Sequence, residues 1–191
     1  MPNHYTTRLT ISGGQDAIEA FKQKHFPIVN GDNDELNFDF NTVIPKPAIV
    51  DNTVSGSVSD DGLIVMGHKD GSKYFDYPWV KEAGVTDIAG LRKLLLERSP
   101  QCIAEAQRCI QCFDETGHYN WHSWSNANWG TKWNSYNFRD GYEAPGLLVF
   151  EFDTAWSPPL PVLEKLIGMH PQLDITAVGH DECEDQWTII Y

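Results

Sequence analysis

The sequence predicts an α+β fold: a ferredoxin-like split βαβ antiparallel sheet with a helical hairpin inserted between its halves. Three observations carry this reading. A period-two strand pattern and a short amphipathic helix open the chain; two β-rich runs, a helix and two short strands close it; two helix patterns with their own boundary signals lie between. We read residues 1–191 as one α+β domain in which residues 41–118 form the insertion, an irregular excursion plus two helices.

"HYTTRLTISG" alternates Tyr5, Thr7, Leu9 and Ile11 with polar neighbours and stops at Gly13-Gly14, the pattern of a half-buried strand and turn. "QDAIEAFKQKHF" places Ala17, Ile18 and Phe21 on one helical face. "ELNFDFNTVIP" alternates Leu36, Phe38 and Phe40 before Pro45 and Pro47, predicting a second strand or extended segment. Residues 48–82 are dense in Gly, Asp and Ser around the apolar island "LIVM" at 63–66. We expect at most a short strand there, in either a loop over a site or an element whose pattern is hidden.

Thr86 is the expected N-cap of a helix bearing Ile88, Leu91, Leu94 and Leu95. Ser99-Pro100 then reads as the cap and first residue of a second helix, with Ile103, Ala106, Ile110 and Phe113 on its face and Gly117 as its stop. "TKWNSYNFRD" and "GLLVFEFDTAW" predict a hairpin across "GYEAP". Ser157 and Pro158 open a helix with Val162, Leu163, Leu166 and Ile167 that ends at Gly168, and "LDITAVGH" and "QWTIIY" supply the last strands.

Composition limits the function. A formal charge of −13, with 27 acidic and 14 basic side chains, opposes approach to a polyanion, so nucleic acid is disfavoured and a protein partner is expected. Residues 117–191 alone hold ten acids and three bases, including "DECED" at 181–185, which reads as a solvated loop or strand end, or as part of an acidic face that imitates DNA or docks a basic partner. No apolar run approaches the roughly 18 residues of a membrane span and the first residues lack a signal-peptide core, so we expect a soluble cytoplasmic protein with no membrane contact. Four cysteines, three on one predicted helix, are expected to be reduced.

Cys109-x2-Cys112-x5-His118-x3-His122 has a zinc-like donor set, but its five-residue spacer is far from the roughly twelve of a zinc finger, so these residues read first as packing residues. No cofactor is implied, and no nucleophile elbow, phosphate loop or dinucleotide fingerprint is present. Glu151 and Asp153, two apart on one strand, share a sheet face, where they serve either as an acid–base pair or as the solvent side.

The segment "NWHSWSNANWGTKWNSYNF", residues 120–138, carries four of the seven tryptophans. Trp129, Lys132, Trp133 and Asn134, with Trp156, form a candidate binding surface whose rings stack on a ligand while the amides read its edge. The competing reading, which we favour, is structural: Trp121, Trp129 and Trp133 share odd parity, and Gly130 lets the backbone pass close to a ring or take positive φ, so the rings plug a seam beneath the inserted helices.

"NWGTKW" at 128–133, followed by "FDTAWSPPLPVLEKL" at 152–166, resembles the signature of the YubB-like family, as "MPNHYTTRLTISG" and "FNTVIPKP" resemble its opening. The resemblance implies an uncharacterised accessory protein of a phage, plasmid or integrated element with a C-terminal ferredoxin-like domain and no assigned chemistry. His4-Tyr5 departs from the family's usual residues after "MPN". Two functions follow as expectations: a non-enzymatic protein-interaction module using an acidic surface, or a small-ligand or enzymatic site near residues 121–133. Catalysis itself is left open.

Overall fold

The computed structural model describes residues 3–27, 37–184 and 186–191. Along the chain the elements run β1 (His4–Gly13), α1 (Gln15–His25), a 3-10 turn (Phe40–Thr42), α2 (Ala48–Asp51), α3 (Ser57–Val65), a second 3-10 turn (Ser72–Asp76), α4 (Pro78–Glu82) and α5 (Ile88–Arg98). They continue with α6 (Cys102–Thr116), α7 (Trp121–Asn128), β2 (Tyr136–Ala144), β3 (Leu147–Ala155), α8 (Leu160–Met169), β4 (Leu173–Asp181) and β5 (Thr188–Ile189). They form two compact units, Met1–Lys46 with Ser125–Tyr191, and Pro47–Trp124. No helix among the described residues is long and apolar enough to cross a membrane.

The first unit is an antiparallel sheet in the order β2-β3-β1-β4-β5. Each βαβ connection skips one position and the other half fills it, which is the ferredoxin-like arrangement expected from the element list. Strand alternation sorts the faces. Thr7, Leu9 and Ile11 of β1 and Leu148, Phe150 and Phe152 of β3 are buried, as are Ile18 and Phe21 of α1 and Val162, Leu163 and Leu166 of α8. The core is dominated by phenylalanine: Phe21, Phe26, Phe38 and Phe150 meet at centroid distances of 4.9–6.4 Å, mostly edge to face.

Phe38 and Phe40 are fully buried, yet no strand carries them. Residues 37–39 are irregular and Phe40–Thr42 is a 3-10 turn, because this backbone bonds to side chains instead of to a neighbouring strand. The Asp39 carboxylate accepts from the Asn41 amide at 2.9 Å, and the Asn134 side-chain oxygen accepts from the Phe40 amide at 2.9 Å. Leu36, the first residue of the expected alternation, lies outside the described residues.

The second unit corrects the reading of residues 48–82. They hold α2, α3, a 3-10 turn and α4, and "LIVM" is the back half of α3 with its turn, Leu63 and Ile64 being buried. Helical periodicity is hidden by the shortness of the elements and by Gly62, which sits where α3 crosses α6. A Cβ there would collide with the Cys102 carbonyl and come 2.7 Å from the Ala106 Cβ. Asp87, not Thr86, caps α5, accepting from the Gly90 amide at 2.7 Å. Ser99 ends α5 rather than starting α6, which begins at Cys102 after a turn closed by the Ser99 carbonyl at 2.9 Å. Gly117 does end α6, in the left-handed conformation at φ 76°. α8 starts at Leu160, after Pro159, and runs one residue past Gly168. Ser157, the expected cap, instead donates to the Gly130 carbonyl at 2.7 Å.

Gly62→Ala is expected to cost about 2 kcal/mol or more, since close-packed helices cannot absorb an added methyl at backbone contact. Gly84→Ala, with open space but φ +66°, should cost less. Urea midpoints of the two variants against the parent test the order.

Candidate functional site

The tryptophan-rich stretch divides into three conformations. Trp121–Asn128 is helical, so the strand-like parity of Trp121 does not apply; a turn follows, and β2 begins at Tyr136. Trp129 is buried, donates its indole hydrogen to the Ile44 carbonyl at 2.9 Å, meets Phe40 edge to face and carries the Lys46 ammonium 5.6 Å over its ring. Gly130 takes φ +77°, and a Cβ there would lie 2.7 Å from the Pro161 ring, so positive φ and close approach both hold. Thr131, fully buried, donates to the Ala155 carbonyl at 2.9 Å.

Asn134 is a structural clasp. Its oxygen accepts from the Phe40 and Ser135 amides, both at 2.9 Å, and its nitrogen donates to the Asp39 carboxylate at 2.7 Å. Trp133 is 39% exposed with the Lys132 ammonium 4.6 Å over its ring, and Trp156 is 57% exposed with φ 73°. The five candidate residues thus separate: Trp129 and Asn134 serve the interior, Trp133 and Trp156 reach solvent, and Lys132 is half-buried against the Trp133 ring.

Trp133 leads onto the sheet face opposite the core, which the sequence reading treated only through Glu151 and Asp153. The Trp133 ring lies 6.3 Å from Tyr136, whose hydroxyl is 2.9 Å from His4 Nδ1. β1–β3 register places Thr6 beside Asp153 and Arg8 beside Glu151. Arg8 binds Glu151 through Nη2 at 2.6 Å and Nε at 2.7 Å. Arg139 bridges both carboxylates, reaching Glu151 at 3.2 Å and gripping Asp153 with two nitrogens at 2.8 and 3.1 Å. Thr6 and Asn137 complete the shell of Asp153 at 2.8 and 3.0 Å. Trp187 covers the Arg8 guanidinium at 4.4 Å and meets His180 at 4.4 Å. Arg8, Arg139, Trp187 and His180 were not legible as a group, because pairing between strands far apart in sequence assembles them.

The chemistry of this face is that of paired charges. Burial alone would raise the Asp153 carboxyl, but hydrogen bonds from Arg139, Asn137 and Thr6 together with the Arg139 charge outweigh it and hold the group below the usual carboxylate range. A general acid at neutral pH needs the opposite shift. Both carboxylates share one face as expected, and there they act as anchors for arginine.

A groove of about 490 Å³ lies between Ile44 and α8, lined by Ile44, Pro161, Glu164, Lys165, Gly168 and Met169. Its Ile44 wall is the residue that holds the Trp129 indole.

The four zinc-like residues do not converge: among the described residues no three His, Cys, Asp or Glu side chains are placed to hold a metal ion. Cys109 and Cys112 lie on the buried face of α6 with Cys102, their sulfurs 3.8 Å from the Val54 carbonyl and 3.6 Å from the Thr116 hydroxyl. Burial raises both thiol pKa values. His118 lies beyond the end of α6 and His122 on the exposed side of α7.

Residues 128–186 match the model of the ferredoxin-like domain in Api92-like protein. That match begins at Asn128, the first residue of "NWGTKW". Among solved structures, the chain is similar to the crystal structure of a protein api92 from Yersinia pseudotuberculosis, at 13% identity and a TM-score of 0.47, over 99% of this chain and 93% of that one. No curated protein matches.

Two measurements check this geometry. Arg139→Met should cost about 2–4 kcal/mol at pH 7, because it strips a nearly buried carboxylate of its counter-charge. The Asp153 carboxyl is depressed by folding, so its contribution is complete above the unfolded value of about 3.9 and is lost as pH falls through the folded one. The penalty of the variant, read from denaturant midpoints, therefore shrinks at pH 3. In thiol labelling of the native protein, Cys183 should react first and the three buried thiols only on opening, since Cys183 is exposed and the others are covered.

Proposed function

We propose that the chain is a non-enzymatic protein-interaction module, an accessory protein of a phage, plasmid or integrated element, that engages a basic partner in the cytoplasm through its acidic surface. One observation carries the reading: five of the seven cations of the sheet unit, all but Lys24 and Lys165, are engaged by the protein itself. That unit holds 16 acidic and 7 basic side chains. Arg8, Arg139 and Lys22 are committed to Glu151, Asp153 and Glu143, while Lys46 and Lys132 sit over tryptophan rings. Among the described residues Asp16, Asp140, Glu164, Asp174, Glu182 and Glu184 are exposed carboxylates, the last two in the β4–β5 turn. Such a field speeds encounter with a basic surface and repels nucleic acid. The ion-paired state of Glu151 and Asp153 further supports binding over catalysis, and four free cysteines fit a reducing compartment.

The second reading, a small-ligand site beside residues 121–133, is favoured by the groove under Ile44, whose volume suits a small molecule. Gly168 has open space around its missing Cβ, so Gly168→Trp would fill the groove without disturbing α8. Single-site binding of an environment-sensitive apolar dye that this variant abolishes would favour that reading.

For the first, affinity capture with the intact chain at rising ionic strength is the direct measurement. A specific basic partner held at about 50 mM salt should be lost steeply by about 500 mM, and the triple change Asp181→Asn, Glu182→Gln, Glu184→Gln should weaken capture at low salt. Absence of any specific partner at low salt would sink the proposal.

A further inference from the structure

Two histidines that no functional reading uses face each other in the core. His25 closes α1 and His170 follows α8; they are 0% and 6% exposed, with Nε2 atoms 2.8 Å apart. On its other side His25 Nδ1 lies 2.6 Å from the Thr42 hydroxyl, which donates to the Asp39 carbonyl at 2.6 Å. The Asp39 amide returns to the His25 carbonyl at 3.1 Å. These partners fix the protons. The single Thr42 hydroxyl hydrogen is committed to Asp39, so Thr42 accepts from His25 Nδ1–H; His25 Nε2 is then a bare lone pair, and His170 supplies the hydrogen between the rings.

We propose that this pair is an acid-sensitive latch: at neutral pH it fastens residues 37–44 to the ends of α1 and α8, and proton uptake breaks it and loosens that segment. Only one hydrogen fits between nitrogens 2.8 Å apart, so the pair cannot take up a second proton with its contact intact. The first added charge is also poorly received. The Phe21 ring lies tilted at 4.7 and 5.1 Å from the two rings, and Phe38 meets His25 edge to face at 6.1 Å. Lys24, on α1, adds a repelling charge to both. Lys22 of α1 is paired with Glu143, and β3 presents Phe150 to this side of the core. Asp39 turns its carbonyl to Thr42 while its carboxylate holds Asn41 and Asn134, and Glu164 and Lys165 of α8 line the groove instead. Burial, then the His170 charge, then Lys24 lower the His25 pKa to about 4, and burial and Lys24 lower that of His170. A histidine whose folded pKa is depressed destabilises the closed state as pH falls below about 6.5 toward the folded value. The segment so released contains Ile44, which holds the Trp129 indole and walls the groove, so acid also uncovers Trp129.

The test is NMR on the intact, uniformly 15N-labelled chain between pH 7.5 and 4.5. Expected are a neutral His25 ring protonated at Nδ1 at pH 7, and a fall of roughly tenfold or more by pH 4.5 in the exchange protection of the Thr42, Val43 and Ile44 amides and the Trp129 indole, with β1 amides unchanged. His25→Gln, which keeps a polar neutral side chain, should reduce that acid-driven fall to less than about threefold. The latch is overturned if protection of residues 42–44 is independent of pH, if it is lost together with that of β1, or if the fall persists in His25→Gln.

Discussion

Pairing of β1 on both sides is the constraint from which the rest of the sheet unit follows. Its residues lie against β3 on one edge and β4 on the other, with Arg8 opposite both Glu151 and Val178. Those partners arrive some 140 and 170 residues later in the chain. The first strand therefore has no sheet to join until nearly the whole chain is present, and closure has to bear the entropy of long loops. Once made, the register determines both faces together. A slip of one residue would send Leu9 and Ile11 to solvent and Arg8 into a phenylalanine core, which is why the alternation of β1 tolerates no ambiguity.

A second constraint replaces a strand that the fold does without. Phe38 and Phe40 are drawn into the core by burial, and a β ladder would be the usual way to satisfy their backbone. Asn134 takes that role with one side chain, binding Phe40, Ser135 and Asp39 at once. Asn37 donates to the Ser135 carbonyl and Ser135 Oγ to the Phe38 carbonyl, so the segment is laced to the residues just before β2. The lacing also explains the NWGTKW motif together with the Asn134 that follows it: Trp129 holds Ile44 and Asn134 holds Phe40, so residues 129 and 134 fix the two ends of the 40–44 segment. What reads in sequence as a ligand stripe is in large part a device for fastening non-repetitive backbone.

Local pattern made β1, α1, β3, α8 and β4 readable, because each keeps a period of 2 or 3.6 over its own length, whereas the hairpin turn expected at 141–145 is shifted, β2 running through Ala144 with two register shifts. Residues 48–82 were opaque for the opposite reason: α2 and α4 are four and five residues long, too short to show a period, and Gly62 spends a helix position on close contact with α6. Asp39 to Thr42 misled because alternating phenylalanines satisfy a strand pattern even where turn bonds hold the backbone. Of the site, Glu151 and Asp153 could be placed on one face from spacing alone, but their arginines could not. Arg8 and Arg139 are 131 positions apart, and only the shared neighbour β3 brings them to the same carboxylate. The histidine latch was equally hidden, since two histidines 145 residues apart leave no local signal.

The open face also bears on what kind of contact it can make. Charges already matched to one another are less costly to desolvate than lone charges, yet they have little new attraction to offer an incoming surface. Arg8, Arg139, Glu151 and Asp153 therefore form a charge-balanced floor, with the Arg8 guanidinium between Glu151 and Trp187. Affinity for a surface that meets this floor has to come from the indoles at its rim, where Trp187 and Trp133 are 38% and 39% exposed and combine large apolar area with an N–H. Attraction at a distance has to come from elsewhere, and on the proposed reading the surplus carboxylates are its source. On the proposed reading, long-range steering and short-range contact fall to different residues, and the charged part is the one whose loss at high ionic strength releases a partner.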